Sequence, residues 1–311
     1  MKKTIFFSGS IVILVAILSG FAAIRQSHPM KLRMHMKDLS QHGLRLIDPS
    51  DVAFDDRLKT EFGPAAIDEV DPIKPITVFL ENKGNKTLVA YVVQWCLTKP
   101  DGTNQYYRQA VLNPEAFTGA SLPSEATRQS GRIEPNSSTL LSLMATDGSG
   151  IFRVDITAAE TEAIKKGQKP DRETLRKRVY QQFQSYSDVT VSIDAAFFDD
   201  GTFVGPDTTG FFNQVSAVAK AKRDLLGAVG SQPRSNREAR DQIYHDLEQS
   251  VTQAPEGLDS NSTPADYYNY FRKLYASEIL RMKSIYGEEK ALDLAIQPLN
   301  RNWVHLKKSE D

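Results

Sequence analysis

Cysteine is nearly absent from the sequence, since Cys96 is the single one among 311 residues. An intrachain disulfide is therefore excluded, while a disulfide to a second chain stays open. The five histidines show no zinc-like spacing, and the three that fall seven residues apart, His28, His35 and His42, would align only on one continuous helix. The sequence accordingly predicts neither a metal site nor a cofactor.

The chain also lacks an excess of charge of either sign. It has 38 Lys and Arg residues and 39 Asp and Glu residues, so the formal net charge is -1. Proteins that bind nucleic acid carry a basic surface that neutralises phosphates, and this balance argues against such a partner. The composition, 40% hydrophobic and 25% charged, is that of a globular protein long enough for one large domain or two ordinary ones.

Recognised catalytic motifs are missing as well. The sequence has no Gly-x-Ser-x-Gly elbow and no Gly-rich phosphate loop. Cys96 would need a neighbouring base to act as a nucleophile, and a small residue within a strand is the simpler interpretation. The sequence therefore favours a protein that is not an enzyme, without excluding a catalytic site assembled from distant positions.

A long uncharged run stands at the N-terminus. Lys2 and Lys3 precede the stretch from Thr4 to Ile24, which is the pattern of a secretory signal or a signal anchor. About 20 residues suffice to span a bilayer, whereas Gly20-Phe21-Ala22 offers the small residues that a signal peptidase prefers, so both alternatives stay open. Either one makes residues 1–24 a signal peptide or membrane anchor of a bacterial protein and places the remainder outside the cytoplasm.

The pattern of an antiparallel sheet dominates residues 25–205, where short alternating runs are separated by turn residues. Ile76–Glu81 and Thr87–Thr98 flank an Asn- and Gly-containing loop and are predicted to pair as a hairpin. Gln105–Leu112 is expected to supply the next strand. In the second strand of the hairpin, the two-residue period places five large side chains on the expected core face: Val89, Tyr91, Val93, Trp95 and Leu97.

The segment Arg132–Ser138 leads through a Pro-Asn-Ser turn into the strand Thr139–Leu143. A hairpin that ends in a Trp-bearing strand and is followed by such a turn resembles the immunoglobulin-like sandwich modules of exported bacterial proteins. The resemblance covers roughly residues 75–143 and implies an antiparallel β-sandwich. An immunoglobulin domain of the antibody kind would add a cysteine pair across its sheets, for which Cys96 has no partner in this chain.

A helical insertion is expected near residues 158–185, where Leu175, Val179 and Phe183 recur every four residues. The strand Asp188–Phe198 follows it. The sequence Asp199-Asp200-Gly201-Thr202 then predicts a tight turn into a further short strand. We expect these strands to complete the same β-rich, immunoglobulin-like domain of residues 25–205.

Helical periodicity dominates residues 206–311. Four helices are expected, with the approximate bounds Thr208–Val229, Ser235–Val251, Thr263–Tyr286 and Glu288–Ile296. Asp207 or Thr208 is expected to cap the first helix, and the spacing from Ser235 to Glu238 predicts a capping box at the second. The fold class predicted is α+β: an N-terminal signal or anchor segment, an antiparallel β-sandwich-like domain with a helical insertion, and a C-terminal helical region.

Three carboxylates form a candidate acidic cluster: Asp194, Asp199 and Asp200. Two of them brought together would make a pair for acid–base chemistry or a cation site. A hairpin turn explains Asp199 and Asp200 without chemistry, because Asp is a common turn residue. Asp241 and His245, four residues apart on a predicted helix, are expected to hydrogen-bond on its exposed surface.

The third helix of the C-terminal region is rich in tyrosine. Its inner stripe, which includes Phe271 and Tyr275, is explained by packing. Tyr267, Tyr268 and Tyr270 are the interaction candidates, since Tyr gives a large contact area at small entropic cost.

The function predicted is that of an extracytoplasmic binding or interaction module associated with the bacterial cell envelope. A protein partner is expected there, and the membrane is a further contact if residues 1–24 are retained. The alternatives are an envelope hydrolase with a site around the three aspartates and a purely structural envelope component. The protein is expected in the cytoplasmic membrane with its bulk outside the cytoplasm or, after cleavage, as a periplasmic or secreted product.

Overall fold

The computed structural model describes residues 32–64, 66–113, 117, 131–143, 162, 166, 181, 183–233, 236–259, 261–300 and 303–309. The predicted signal or anchor at residues 1–24 and His28 lie outside this part of the chain, as does most of the predicted helical insertion at residues 158–185. Within the part that is described, no helix combines the length and the apolar character needed to cross a membrane.

The strands are β1 (Arg33–Lys37), β2 (Leu44–Ile47), β3 (Thr77–Asn82), β4 (Leu88–Thr98), β5 (Asn104–Leu112), β6 (Ser137–Ser142), β7 (Asp188–Phe198), β8 (Thr202–Val204) and β9 (Lys307–Lys308). The first sheet follows the order β5-β4-β7-β8-β9, with β1 beside β7, and the second follows the order β2-β3-β6. β1 runs parallel to β7 and β9 runs parallel to β8, whereas β8 is antiparallel to β7 and β3 is antiparallel to both of its neighbours.

The helices are α1 (Ala53–Phe62), α2 (Ala66–Val70), α3 (Phe211–Ser231), α4 (Arg237–Thr252), α5 (Pro264–Tyr286) and α6 (Glu288–Ile296). Short 3-10 turns cover Ser40–His42, Asp71–Ile76 and Gln297–Asn300. This mixture of helices and two sheets confirms the predicted α+β class.

The predicted hairpin across residues 76–98 is wrong, although both of its strands form. β3 and β4 belong to different sheets, because β3 already has antiparallel partners on its two edges, β2 and β6. The loop between β3 and β4 is held in place by other contacts. The N–H of Lys83 donates to the carbonyl of Gly43 at 2.7 Å, and the Asn82 side chain accepts from the N–H of Gly84 at 3.0 Å. Alternation therefore predicts the strands and leaves their pairing open.

The tight turn predicted after β7 is confirmed. Ala196 lies opposite Val204, and Phe197 lies opposite Phe203, in an antiparallel pair. Gly201 supplies the positive φ of +81° that the turn requires. The bounds of β7 itself, Asp188–Phe198, agree with the sequence prediction.

The predicted core face of β4 is confirmed, and the first half of the strand is buried on its other face too. Trp95 and Leu97 are buried, while Gln94, Cys96 and Thr98 between and after them are partly exposed. Leu88–Val93 is buried without alternation. A central strand covered on both faces reads as a continuous apolar run, which explains why Ala90 and Val92 are apolar as well.

The chain folds into two compact units. The first comprises residues 1–85, 92–110 and 133–193, and the second comprises residues 86–91, 111–132 and 194–311. Each unit is discontinuous in sequence because the division falls within strands. The predicted domain boundary near residue 205 stays a prediction.

In the first unit, α1 and α2 form where the sequence was expected to be β-rich. Asp51 accepts a hydrogen bond from the N–H of Ala53 at 2.9 Å at the start of α1. Phe54 and Leu58, four residues apart, bury their side chains in one cluster with Phe79 of β3, and the rings of Phe54 and Phe79 meet edge to face at 5.1 Å. This four-residue apolar spacing is the sequence signal of the helix.

In the second unit, α3, α4, α5 and α6 share one apolar core. Its buried side chains are Leu225, Leu226, Val229, Ile243, Tyr244, Leu247, Tyr275, Ala276, Ile279, Met282, Ala291, Leu292 and Ala295. The hydroxyl of Tyr244 donates to the carbonyl of Glu288 at 2.6 Å. Burial raises the pKa of Tyr244 to about 12, so this phenol remains a hydrogen-bond donor at neutral pH.

Thr263 and Asp266 form a capping box at the start of α5, whereas the two caps predicted from the sequence differ from those observed. α3 begins at Phe211 with Gly210 as its N-cap, so neither Asp207 nor Thr208 occupies that position, although Asp207 accepts the N–H of Phe212 in the first turn at 3.1 Å. α4 is capped by Asn236 instead of Ser235, since the Asn236 side chain accepts the N–H of Ala239 at 2.8 Å. Both residue types are good caps, so the sequence locates this helix start to within one residue.

Candidate functional site

Asp194 lies on β7 with 2% of its surface exposed. Its carboxylate accepts four hydrogen bonds, two from Thr208 and two from Thr209. The Thr208 N–H and hydroxyl donate at 2.9 and 2.6 Å, and those of Thr209 donate at 3.1 and 2.6 Å. Four donors occupy the lone pairs of a carboxylate. The side chain therefore fixes the loop that enters α3.

Asp199 and Asp200 are exposed in the turn between β7 and β8. The Asp200 carboxylate pairs with Lys86 at 2.8 Å and accepts the N–H of Thr202 at 2.9 Å. Burial raises the pKa of Asp200, but the hydrogen bonds from Lys86 and Thr202 outweigh it and hold the pKa at about 2. The side chain is accordingly an anion that stabilises the turn.

The structure does not bring the three aspartates together. Asp194 and Asp199 are five residues apart on an extended strand, which separates them by about 16 Å. Each carboxylate pair of the candidate cluster would have to meet within a few ångströms to share a proton or a cation. Among the described residues, no group of three or more His, Cys, Asp or Glu side chains is placed to hold a metal ion.

The three tyrosines proposed from the sequence are half-buried near the start of α5. Tyr268 donates to Asp224 of α3 at 3.0 Å and accepts from Arg272 at 3.3 Å. The Lys220 ammonium lies 5.2 Å from the centre of the Tyr268 ring and also pairs with Asp224. Tyr268 is therefore occupied in the contact between α3 and α5.

Tyr267 and Tyr270 are placed by the same helix. The Tyr270 ring packs edge to face on Phe271 at 5.6 Å. Neither side chain is exposed as a large apolar surface. The predicted hydrogen bond between Asp241 and His245 is not made, because Asp241 faces Arg237 at 3.8 Å and His245 faces Gln249 at 2.9 Å.

A set of tyrosines that the sequence did not single out lies at one end of the first sheet. Tyr106 on β5 is 67% exposed, and its pKa is raised by a hydrogen bond with Cys96 of β4. Tyr107 points to the other face of the strand. Its pKa is raised to about 12 by burial and by Tyr186, whose hydroxyl donates to Gln105.

Three further strands end beside these tyrosines. The N–H of Ser187 donates to the carbonyl of Thr98 at 2.9 Å, and Arg33 pairs with Asp188 at 2.9 Å. Hydrogen bonds from Ser187, Arg33 and His35 lower the pKa of Asp188 to about 2. We call this surface, made of Arg33, Lys99–Tyr107 and Tyr186–Asp188, the tyrosine end of the sheet.

The turn Lys99–Thr103 projects from the tyrosine end. It closes through a hydrogen bond from the N–H of Lys99 to the carbonyl of Thr103 at 2.9 Å, and Asp101 accepts the N–H of Thr103 at 2.8 Å. Hydrogen bonds from the backbone and the side chain of Thr103 lower the pKa of Asp101. The sequence signals for this surface are the adjacent Tyr106 and Tyr107, which a strand must place on opposite faces. Which of them is exposed depends on the neighbouring strands.

Comparison of the chain with models of protein families, with curated proteins and with solved structures finds no match, so the surfaces described above are interpreted from the chain's own residues and geometry.

Proposed function

We propose that this chain is an extracytoplasmic binding or interaction module of the bacterial cell envelope, which residues 1–24 anchor in the cytoplasmic membrane or export across it. Lys2 and Lys3, followed by the uncharged stretch up to Ile24, support this location. The first sheet supports the binding role, because its edge strand β5 carries exposed side chains.

The observation that carries the proposal is the exposure of β5. Among the described residues β5 is one of the edge strands of the first sheet, and both Tyr106 and Ala110 on one of its faces are exposed. Natural sheets usually cover or charge such edges, because an edge strand is a template for pairing with another chain. Arg108 charges the middle of this strand, whereas Ala110 near its end is small, uncharged and exposed. This part of the edge is therefore suited to pairing with a protein partner.

The order of the strands supports an immunoglobulin-like sandwich for this module. In such domains the consecutive strands B and C lie in different sheets, B pairs with E, and C, F and G share the other sheet. β3, β4, β6, β7 and β8 follow that division. The buried Trp95 on β4 corresponds to the tryptophan of strand C. The parallel pairing of β1 with β7 and the single cysteine depart from the antibody pattern.

The anchor is tested by expressing the chain with a C-terminal tag in a bacterial host, followed by fractionation and intact mass. A full-length product in the membrane fraction supports the anchor. A periplasmic product that begins near Ala23 supports export with cleavage. A full-length product in the cytoplasm contradicts both forms of the proposal.

The partner is tested by a photo-crosslinking residue at Ala110 in the same cells. Val52, which is 94% exposed at the N-terminal cap of α1 in the same unit, is the matched control position. We expect a discrete protein adduct from position 110 and none from position 52. Equal labelling at the two positions, or no adduct from either, contradicts the assignment of β5 as the binding edge.

A further inference from the structure

We infer that the tyrosine end of the sheet contacts the lipid headgroups of the membrane in which the N-terminal segment is anchored. The inference depends on the proposed anchor. It goes further by naming the end of the sheet that faces the bilayer.

The length of the connecting chain favours this end of the sheet. Residues 25–32 separate the predicted anchor from Arg33, the first residue of β1. Eight extended residues reach about 29 Å at most. β4 ends at Thr98 beside the tyrosine end and begins at Leu88, about 33 Å away along the strand. With β4 upright on the membrane, the connector allows the tyrosine end to touch the headgroups and is too short for the opposite end to do so.

The exposed side chains suit the interface between water and lipid. Tyr106 is 67% exposed, and tyrosine is enriched at headgroup level because its ring is apolar and its hydroxyl is polar. Arg33 leaves 74% of its side chain exposed while it pairs with Asp188. Arginine at such a position extends its aliphatic part along apolar surface and keeps its charge in the polar layer.

Charge at the tyrosine end is balanced. Arg33 is paired with Asp188, and Lys99 lies near enough to Asp101 to lower the pKa of that carboxyl. Attraction to anionic lipid requires a cluster of basic residues, which this surface lacks among its described side chains. The contact is therefore assigned to the tyrosine, and vesicles of zwitterionic lipid are the appropriate probe.

The test uses the full chain reconstituted in phosphatidylcholine vesicles that contain a nitroxide-headgroup lipid. A fluorophore is attached at Thr103→Cys in the Cys96→Ser background, and Lys83→Cys in the same background is the control at the other end of β4. We expect the nitroxide to remove most of the fluorescence at position 103 and little at position 83. Adding Tyr106→Ser is expected to reduce the quenching at position 103, whereas Tyr106→Phe keeps the ring and retains it.

Equal quenching at positions 103 and 83 would overturn the inference. Quenching at position 103 that Tyr106→Ser leaves unchanged would also overturn it, because proximity without a contact by the tyrosine explains that result. The intact mass of the reconstituted protein separates the two proposals. A product without residues 1–24 removes the anchor and with it this inference, while a full-length product with equal quenching removes this inference alone.

Discussion

The guanidinium of Arg57 on α1 contacts the carboxylate of Glu81 on β3, whose side chain is 1% exposed. Arg57 also donates to the hydroxyl of Ser138 on β6 at 3.1 Å, so one side chain joins the helix to two neighbouring strands. Lys83 approaches Glu81 at 3.0 Å. The buried carboxylate is thereby neutralised, and α1 is fixed on the second sheet.

Replacement of Arg57 tests the strength of this contact. We expect Arg57→Met to lower the free energy of unfolding by about 3 kcal/mol, because it leaves a buried carboxylate with Lys83 as its remaining charged neighbour. The measurement is urea unfolding followed by circular dichroism. Lys59→Met on the same helix, which removes an exposed pair with Asp56, is the control and is expected to change little. Adding Glu81→Leu to Arg57→Met is expected to recover stability, and a further loss would contradict this account.

Glu61 makes the stability of the first unit depend on pH. Burial raises the pKa of Glu61, the Ser138 hydroxyl and Arg57 lower it, and Glu81 raises it, with a net rise. A carboxyl whose folded-state pKa lies above the unfolded value of 4.5 stabilises the fold when it is protonated, and that contribution is lost as the pH rises through the folded pKa. We therefore expect Glu61→Gln to gain stability relative to the parent protein as the pH increases.

The comparison is made by urea unfolding of both proteins between about pH 4 and about pH 7. Since Glu61 is withdrawn from solvent only in part, the difference is expected to be small but to widen steadily with pH. A difference that is independent of pH would show that the protonation of Glu61 is not coupled to folding.

Asp194 is expected to be a structural residue of the second unit. Asp194→Asn places an NH₂ group against the donors of Thr208 and Thr209, and we expect a loss of about 2–3 kcal/mol in the free energy of unfolding. Asp199→Asn in the exposed turn is the matched control and is expected to change stability little. A neutral Asp194→Asn would mean that the four hydrogen bonds contribute nothing net and would reopen a chemical role for this carboxyl.

Gly43 is expected to tolerate no side chain. It adopts a φ of +78°, and a Cβ there would lie 2.6 Å from the N atom of Gly84. Gly102 has a similar φ of +83° with no atom within 4 Å of such a Cβ. Alanine at either position incurs the cost of the left-handed conformation, about 1–2 kcal/mol, and Gly43→Ala adds a clash with backbone. Thermal unfolding should therefore show a larger loss for Gly43→Ala, and equal losses would contradict the close approach of the two loops.

The helices of the second unit could be predicted well because their signals are local. Thr263 and Asp266 form a capping box three residues apart, and Gly287 ends the helix that they begin. The apolar stripe of that helix, including Tyr275 and Ile279, faces the core as its spacing predicts. In each case the interacting groups lie within one or two turns of each other, so the sequence contains the whole signal.

The candidate site depended on contacts between distant residues. Asp194 was a candidate because it lies close in sequence to Asp199 and Asp200, with which it could have formed a carboxylate pair. Its partners, Thr208 and Thr209, lie 14 and 15 residues further along the chain. Tyr106, in contrast, is an ordinary strand residue by pattern, and its 67% exposure is known only from the folded structure.

The sequence by itself determined the strands β3 to β8, most of the helices and the α+β class, because periodicity and capping are interactions between near neighbours in the chain. The tertiary structure alone decided that β3 pairs with β2 and β6 instead of β4. It also decided that Glu81 and Asp194 are buried among hydrogen-bond donors, and that Tyr106 faces outward. A strand has two equivalent edges and two faces, and which of them is covered depends on segments that are remote in sequence and meet only in the folded protein.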